Sequence, residues 1–307
     1  SRPAMNGAGL AARDLLAQPL TAAELARAAQ EIYTALTPTA QIAWPLLSEQ
    51  CGCEVWVKHE NHLPTGAFKV RGGVWFMHQL RDAMPEVRGV VAATRGNHGQ
   101  SIAFAARRHG LSAVVVVPYG NNPEKNQAMR ALGAELIEHG EDFNAALEYA
   151  TALAERRGLF AMPSYHPLLV QGVGTYGYEL LRAVPQLDTV YVPIGLGSGI
   201  AGTLAARNAL GLATEVVGVV SAHADAYAQS FERGELVSTA SAVTLADGMA
   251  VRVPSAMALD YLHSGVARIV RVTDDEVLAA MALMFSATHN LAEGAAAAPL
   301  AALLKER

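Results

Sequence analysis

Twice in this chain a short apolar run ends in a glycine turn that opens a helical pattern. Gly89–Ala93 is followed by Thr94-Arg95-Gly96-Asn97-His98-Gly99-Gln100-Ser101, and Thr189–Ile194 by Gly195-Leu196-Gly197-Ser198-Gly199-Ile200-Ala201-Gly202. A strand that passes through so tight a turn into a helix reads as one βα step of a parallel sheet. The same alternation runs along the chain. Further strands are predicted at Glu54–Lys58, Ala113–Val117, Leu159–Met162, Glu215–Ser221 and Ala267–Val272. Helices are predicted at about 71–83, 97–109, 122–132, 142–157, 168–183, 199–210 and 273–286. This rhythm argues for an α/β fold with parallel sheets covered by helices on both faces. Asn122-Pro123 and Thr273-Asp274-Asp275-Glu276 read as capped helix starts, and Ala295–Ala298 as a helical run.

At 307 residues, with 51% apolar and 17% charged residues, the chain can bury a large core and suits two domains or one large α/β unit. A net charge of −5 without any cluster of Lys and Arg gives no footprint for nucleic acid. The longest apolar stretches, such as 111–118 and 216–222, are far short of a membrane span. Residues 1–20 show no basic start followed by an apolar block, so no signal peptide is expected, although a start at Ser-Arg-Pro leaves a missing first segment open. Cys51 and Cys53 lack the further cysteines of a zinc site and are expected as reduced thiols at a strand start in a cytoplasmic protein.

Each glycine turn places backbone N–H groups at a helix N-terminus, which makes an anion site before any side chain is counted. Thr94, Asn97 and Ser198 add polar side chains to it. The Thr94–Ser101 turn alone also fits a capped turn without a ligand. Gly197-x-Gly199-x-x-Gly202 satisfies the dinucleotide fingerprint, yet the next strand ends in Val219-Val220-Ser221 with no carboxylate for a ribose. Nor does Gly-Lys-Ser/Thr follow, so it is not a Walker loop. A third feature is Pro64-Thr65-Gly66-Ala67-Phe68-Lys69-Val70-Arg71-Gly72-Gly73 in a chain with only four lysines. By itself Lys69 fits a snorkelling lysine at a helix start. Desolvation between Phe68 and Val70 would favour its neutral amine and suit it to Schiff-base chemistry.

The three motifs together, in this order, resemble the serine/threonine dehydratase group of pyridoxal-phosphate enzymes, the fold-type-II or tryptophan-synthase-β-like family. The resemblance runs from about residue 20 to the end. It implies two open α/β domains with the cofactor in the cleft between them: residues 1–89 plus 167–307 as the large domain, and 90–166 as a smaller, mobile one. It implies that Lys69 binds pyridoxal 5'-phosphate as a Schiff base with Phe68 against the ring, and that Asn97 bonds the ring hydroxyl oxygen. Gly195, Leu196, Gly197, Ser198 and Gly199 would hold the phosphate. Thr94 and the amides of Gly96 to His98 would receive the substrate carboxylate, with Arg95 beside them and Gly248 of the Ala246-Asp247-Gly248 turn near the substrate. The activity implied is deamination of a β-hydroxy-α-amino acid, L-threonine or L-serine, or an aryl-serine such as phenylserine, to a 2-oxo acid and ammonia. A homodimer is the family expectation. A β-replacement enzyme, a racemase and a non-catalytic cofactor binder remain as alternatives.

The chain departs from the family pattern in four places. Arg95 stands where relatives carry a small residue, or the acid/base serine of a racemase. A guanidinium is a poor acid/base, which counts against racemisation. Arg95 is expected to steer selectivity toward larger or anionic substrates. Val220 and Ala226 stand where the family's divalent-cation site has carboxylates, so no magnesium or calcium is expected there. The family's Ser or Thr opposite the pyridine nitrogen would fall beyond Arg307, after a turn resembling Asn290-Leu291-Ala292-Glu293-Gly294, which suggests an incomplete chain. No regulatory domain follows, which suggests a catabolic role. His59, Glu60 and His62 have no fourth ligand and are expected not to hold a metal. His289 is expected to pack or cap.

Overall fold

The computed structural model describes residues 20–307; the opening residues read above for a signal peptide, and the first part of the expected large domain, lie outside that range up to residue 19. In chain order the elements begin with α1 (Ala22–Ile32), β1 (Gln41–Ala43), α2 (Pro45–Cys51), β2 (Trp56–Lys58), α3 (Lys69–Ala83), β3 (Gly89–Ala93) and α4 (Asn97–Arg108). Next come β4 (Ser112–Val117), α5 (Pro123–Ala131), β5 (Glu135–Glu138), α6 (Phe143–Arg157), β6 (Phe160–Ala161) and α7 (Pro167–Ala183). The last are β7 (Thr189–Pro193), α8 (Ser198–Ala209), β8 (Glu215–Ser221), α9 (Ala226–Arg233), α10 (Ala256–His263), β9 (Val266–Val272), α11 (Asp274–Thr288) and α12 (Gly294–Glu306). The mixed α/β class expected from the alternation is the one observed.

Two compact units emerge. Among the described residues one unit comprises Ala26–Thr37 and Leu63–Val173. Its four strands run parallel in the order β5-β4-β3-β6. The two faces of the sheet separate by residue parity, as strand geometry demands. Val90, Ala92, Ala113, Val115 and Val117 pack with residues of α3 and α4, such as Phe76 and Ile102. Val91, Ala93, Val114 and Val116 face Ala146, Ala150, Leu153 and Ala154 of α6. The chain leaves β3 toward β4 on one side, while β6 returns on the other. The carboxyl end of β3 is therefore a topological switch point, where open α/β sheets bind their ligands.

The second unit comprises Leu20–Leu25, Pro38–His62 and Gly174–Arg307. Its parallel sheet has the order β7-β8-β9. One cluster packs Val219 and Val272 with Leu47 and Cys51 of α2, Val277 and Met284 of α11, and Leu300 of α12. The short strands β1 and β2 form an antiparallel pair, Ile42 opposite Val57, which the βα rhythm did not predict.

Local chemistry sets the helix ends. The Asn122 side chain accepts from the N–H groups of Glu124 and Lys125, and Thr273 with Glu276 forms a reciprocal capping box. His289 ends α11 in the left-handed conformation at φ 56°, so it is a capping residue, stacked on Phe285. The cysteines depart from expectation: both are free thiols, but Cys51 is the buried last residue of α2, with Gly52 in the left-handed conformation after it, and no strand starts there.

Glycines in the first unit serve close approach between helices. A Cβ on Gly172 of α7 would stand 2.8 Å from both the Arg71 carbonyl oxygen and the Gly72 Cα of α3. Backbone cannot yield as a flexible side chain can. Gly172→Ala is therefore expected to lower stability by about 1–3 kcal/mol, the range for overpacking, read as a lowered urea midpoint at unchanged m-value.

Candidate active site

Lys69 is the first residue of α3, and Phe68 before it is the cap; both are half-buried. The preceding chain turns at Gly66, φ 69°, whose N–H donates to the Leu63 carbonyl at 2.8 Å. The Lys69 carbonyl accepts from Ser101 Oγ of α4 at 2.8 Å. That bond needs the space left by Gly73, where a Cβ would stand 2.1 Å from Ser101 Oγ. Gly73 and Ser101 thus fix the start of α3 against α4 and set where the Lys69 side chain leaves the backbone. Ser101 belongs to the sequence motif, but its partner could not be read there.

The turn after β3 lies at the switch point. Thr94 is buried, and its Oγ1 accepts from the N–H groups of Gly96 and Gly99, both at 2.9 Å. The Thr94 hydroxyl keeps its own proton as a donor. Gly96 caps α4 at φ 152°, and the methylenes of Lys125 fill the place a Cβ would take, the nearest at 2.4 Å. Arg95 is half-buried, and its carbonyl accepts from Asn121 Nδ2 at 2.9 Å. Asn97 and His98 are the first two residues of α4, so their N–H groups belong to the turn that has no acceptor within the helix.

His98 is buried, and Nε2 makes no hydrogen bond among the described residues. Its ring bonds to the backbone of Pro163, which follows β6; proline has no N–H, so the ring donates, through Nδ1, to the carbonyl. Burial, and then the charge of nearby Lys69, hold the imidazole down at about 3, so it is neutral.

In the second unit, Gly197 caps α8 at φ 106°, a left-handed conformation that favours glycine. A Cβ on Gly195 would stand 2.4 Å from the Gly248 carbonyl oxygen, so the Asp247–Met249 turn lies against the loop. Ser198, buried, and Gly199 open the helix. A loop carbonyl and one in the first turn of α8 are held by side chains: Leu196 O accepts from the Tyr227 hydroxyl at 2.8 Å, and Gly199 O from the Tyr176 hydroxyl at 2.7 Å. No local sequence signal announced either tyrosine.

His59 accepts a hydrogen bond from Trp44 Nε1 at 3.0 Å and stacks on His62. Glu60 accepts from Thr39 Oγ1 at 2.5 Å. Among the described residues no group of three His, Cys, Asp or Glu side chains could hold a metal ion. Nor is any helix there long and apolar enough to cross a membrane.

A helix-opening lysine and two glycine turns that open helices are joined here by a match of residues 32–307 to the family described as "Pyridoxal-phosphate dependent enzyme". The chain belongs to this family. It is 38% identical to the L-threonine ammonia-lyase of Geobacter sulfurreducens, over 85% of this chain and 65% of that protein. To the catabolic L-threonine dehydratase TdcB of Escherichia coli it is 32% identical, over 93% of this chain and 87% of the other. The fold superposes on a T.th. threonine deaminase with TM-score 0.86, at 31% identity, covering 93% and 92% of the two chains. An aspartate racemase gives TM-score 0.88 at 26% identity, covering 94% and 90%. The family's cofactor is pyridoxal phosphate, and the residues present fit it. They supply an amine at a helix start, and a glycine-walled turn with several N–H groups and a serine hydroxyl suited to a phosphate.

The depressed His98 value makes acid destabilising. Below the ordinary value of 6.5 the unfolded chain binds a proton that the folded one refuses until about 3, so this share of stability is lost as pH falls below 6.5. At pH 5 the loss is about 2 kcal/mol. The drop in unfolding free energy between pH 7 and pH 5, from urea melts, is expected to be smaller in His98→Asn by about that amount.

Proposed function

We propose that the chain is a pyridoxal-phosphate dependent ammonia-lyase, converting a β-hydroxy-α-amino acid to a 2-oxo acid and ammonia. L-Threonine and L-serine are its first substrates, with an aryl-serine such as phenylserine as a further one. The observation that carries this reading is the Ser101–Lys69 bond of 2.8 Å, which fastens the start of the amine-bearing helix to the helix that opens the switch-point turn. Relatives named for threonine deamination, at 38% and 32% identity, support the same chemistry.

When bound, the cofactor's ring takes up the electron pair left at the α-carbon. The rest falls to the chain. Lys69 would hold the cofactor, and its free amine would serve as the base for the α-proton. The N–H groups from Gly195 to Gly199 and the Ser198 hydroxyl bind the phosphate, and Phe68 and Asn97 complete the surroundings of the ring. The substrate carboxylate is received by the Thr94 hydroxyl proton and the N–H groups of Asn97 and His98, with Gly96 shaping the turn and Gly248 bordering the substrate. The β-hydroxyl would leave with a proton as water, and one water added back by hydrolysis would release the 2-oxo acid and ammonia. Residues 90–166 act as the mobile domain, and the working assembly is a homodimer.

Purified protein with pyridoxal phosphate is expected to release ammonia and 2-oxo acid from L-threonine or L-serine, and Lys69→Ala to release none. Silence of the native protein on L-threonine, L-serine, phenylserine and 3-hydroxyaspartate alike would overturn the reading. Arg95 adds a finer expectation, since a half-buried guanidinium beside a carboxylate site favours a second anionic group on the substrate. Arg95→Ala is expected to lower the rate on 3-hydroxyaspartate relative to L-threonine about tenfold, ~1.4 kcal/mol. Unchanged relative rates would sink the selectivity role.

A further inference from the structure

Two tyrosines outside every motif hold carbonyls of the loop between β7 and α8 and of the first turn of α8. Tyr227 of α9 is 1% exposed; its hydroxyl donates to Leu196 O at 2.8 Å and accepts from the N–H of Ser255 at 3.0 Å. The Tyr176 hydroxyl, on α7, donates to Gly199 O at 2.7 Å and accepts from Thr203 Oγ1 at 2.8 Å. Thr203 Oγ1 also lies 3.1 Å from Gly199 O.

In a planar trans peptide the carbonyl and the following N–H point in opposite directions. A hydroxyl that fixes Leu196 O therefore fixes the direction of the Gly197 N–H, and one that fixes Gly199 O fixes that of Ile200. Glycine makes this control necessary: Gly195 and Gly197 leave the loop free to reach other backbone angles, and Gly197 at φ 106° has no side chain to resist a flip of its peptide. Both phenols are anchored in turn, by the Ser255 amide and by Thr203, so neither is a loosely held surface group. Burial pushes the Tyr227 phenol well above its ordinary value, which keeps it a proton donor throughout the working pH range.

We propose that Tyr227 and Tyr176 are positioning residues for the cofactor phosphate, Tyr227 aiming the Gly197 N–H through the Leu196 carbonyl and Tyr176 fixing the first turn of α8, from which the loop hangs. The inference rests on the reading of Gly195–Gly199 as the phosphate site and deepens it. Neither residue takes part in proton transfer.

The test uses the apo form of the full chain, titrated with pyridoxal phosphate and with pyridoxal, which lacks the phosphate, following the visible absorbance of the lysine-bound cofactor. In the native protein the phosphate form is expected to bind at least about a hundredfold more tightly. Tyr227→Phe is expected to reduce that ratio about tenfold, with pyridoxal affinity little changed, and Tyr176→Phe to reduce it in the same direction. Because the ratio is internal, a general loss of folding lowers both affinities and cancels. A native ratio near one would sink the phosphate reading of the loop. A large native ratio that survives in both variants, or equal losses for the two ligands, would overturn the positioning role while leaving that reading intact.

Discussion

The structure depends on backbone N–H groups that a helix cannot satisfy. The first turn of any α-helix leaves such donors without intrahelical acceptors, and where the turn lies at the end of a sheet water cannot easily serve them. This chain meets the problem at two places in two ways. After β3, Thr94 turns its own Oγ1 onto the N–H groups of Gly96 and Gly99, so two donors are satisfied internally and fewer remain for a ligand. After β7, side chains take the carbonyls instead, leaving the donors of the loop to be met from outside. A monoanionic carboxylate and a phosphate differ in charge and in number of oxygens. In the roles proposed for the two turns, the one with fewer outward donors receives the carboxylate and the one with more receives the phosphate.

Glycine does two separate jobs here, and only one concerns backbone angles. Gly197 supplies a left-handed conformation, whereas Gly72, Gly73 and Gly172 let helices approach until a methyl would strike backbone or a serine oxygen. The second job sets the root of Lys69, the amine proposed to hold the cofactor. With α3 pressed onto α4 at Gly73, the Lys69 backbone is tied by Ser101 and is not left to the fraying of a helix end. A lysine side chain has four rotatable bonds, so its amine can be placed reproducibly only if its root is rigid.

Much of this was legible from residue order. The bounds of strands Gly89–Ala93 and Glu215–Ser221 are legible in the sequence, because short valine-containing apolar runs between turn signals have few other folds open to them. The capped starts at Asn122 and Thr273 followed from short-range side-chain chemistry. Gln41–Ala43 and Glu135–Glu138 were not read as strands. The first has three residues, and the second lies at the edge of its sheet with a glutamate at each end, so neither shows an apolar period. Cys51 was placed at a strand start because nothing in Cys-Gly-Cys distinguishes the end of a short helix from the start of a strand.

Long-range hydroxyl-to-carbonyl bonds were beyond reach for a different reason. Tyr227 lies 31 residues from Leu196 and Tyr176 lies 23 from Gly199, and a backbone carbonyl carries no residue identity for a sequence to display. Yet a glycine-rich turn cannot organise itself: each glycine loses more conformational freedom on ordering than any other residue would, and no side chain of its own opposes a peptide flip. The motif that announces an anion site is for that reason the part of the site least able to hold its shape. Residues that hold it must come from elsewhere in the fold, as buried donors of fixed protonation, and Tyr227, shielded from water and charged only in strong base, meets that requirement.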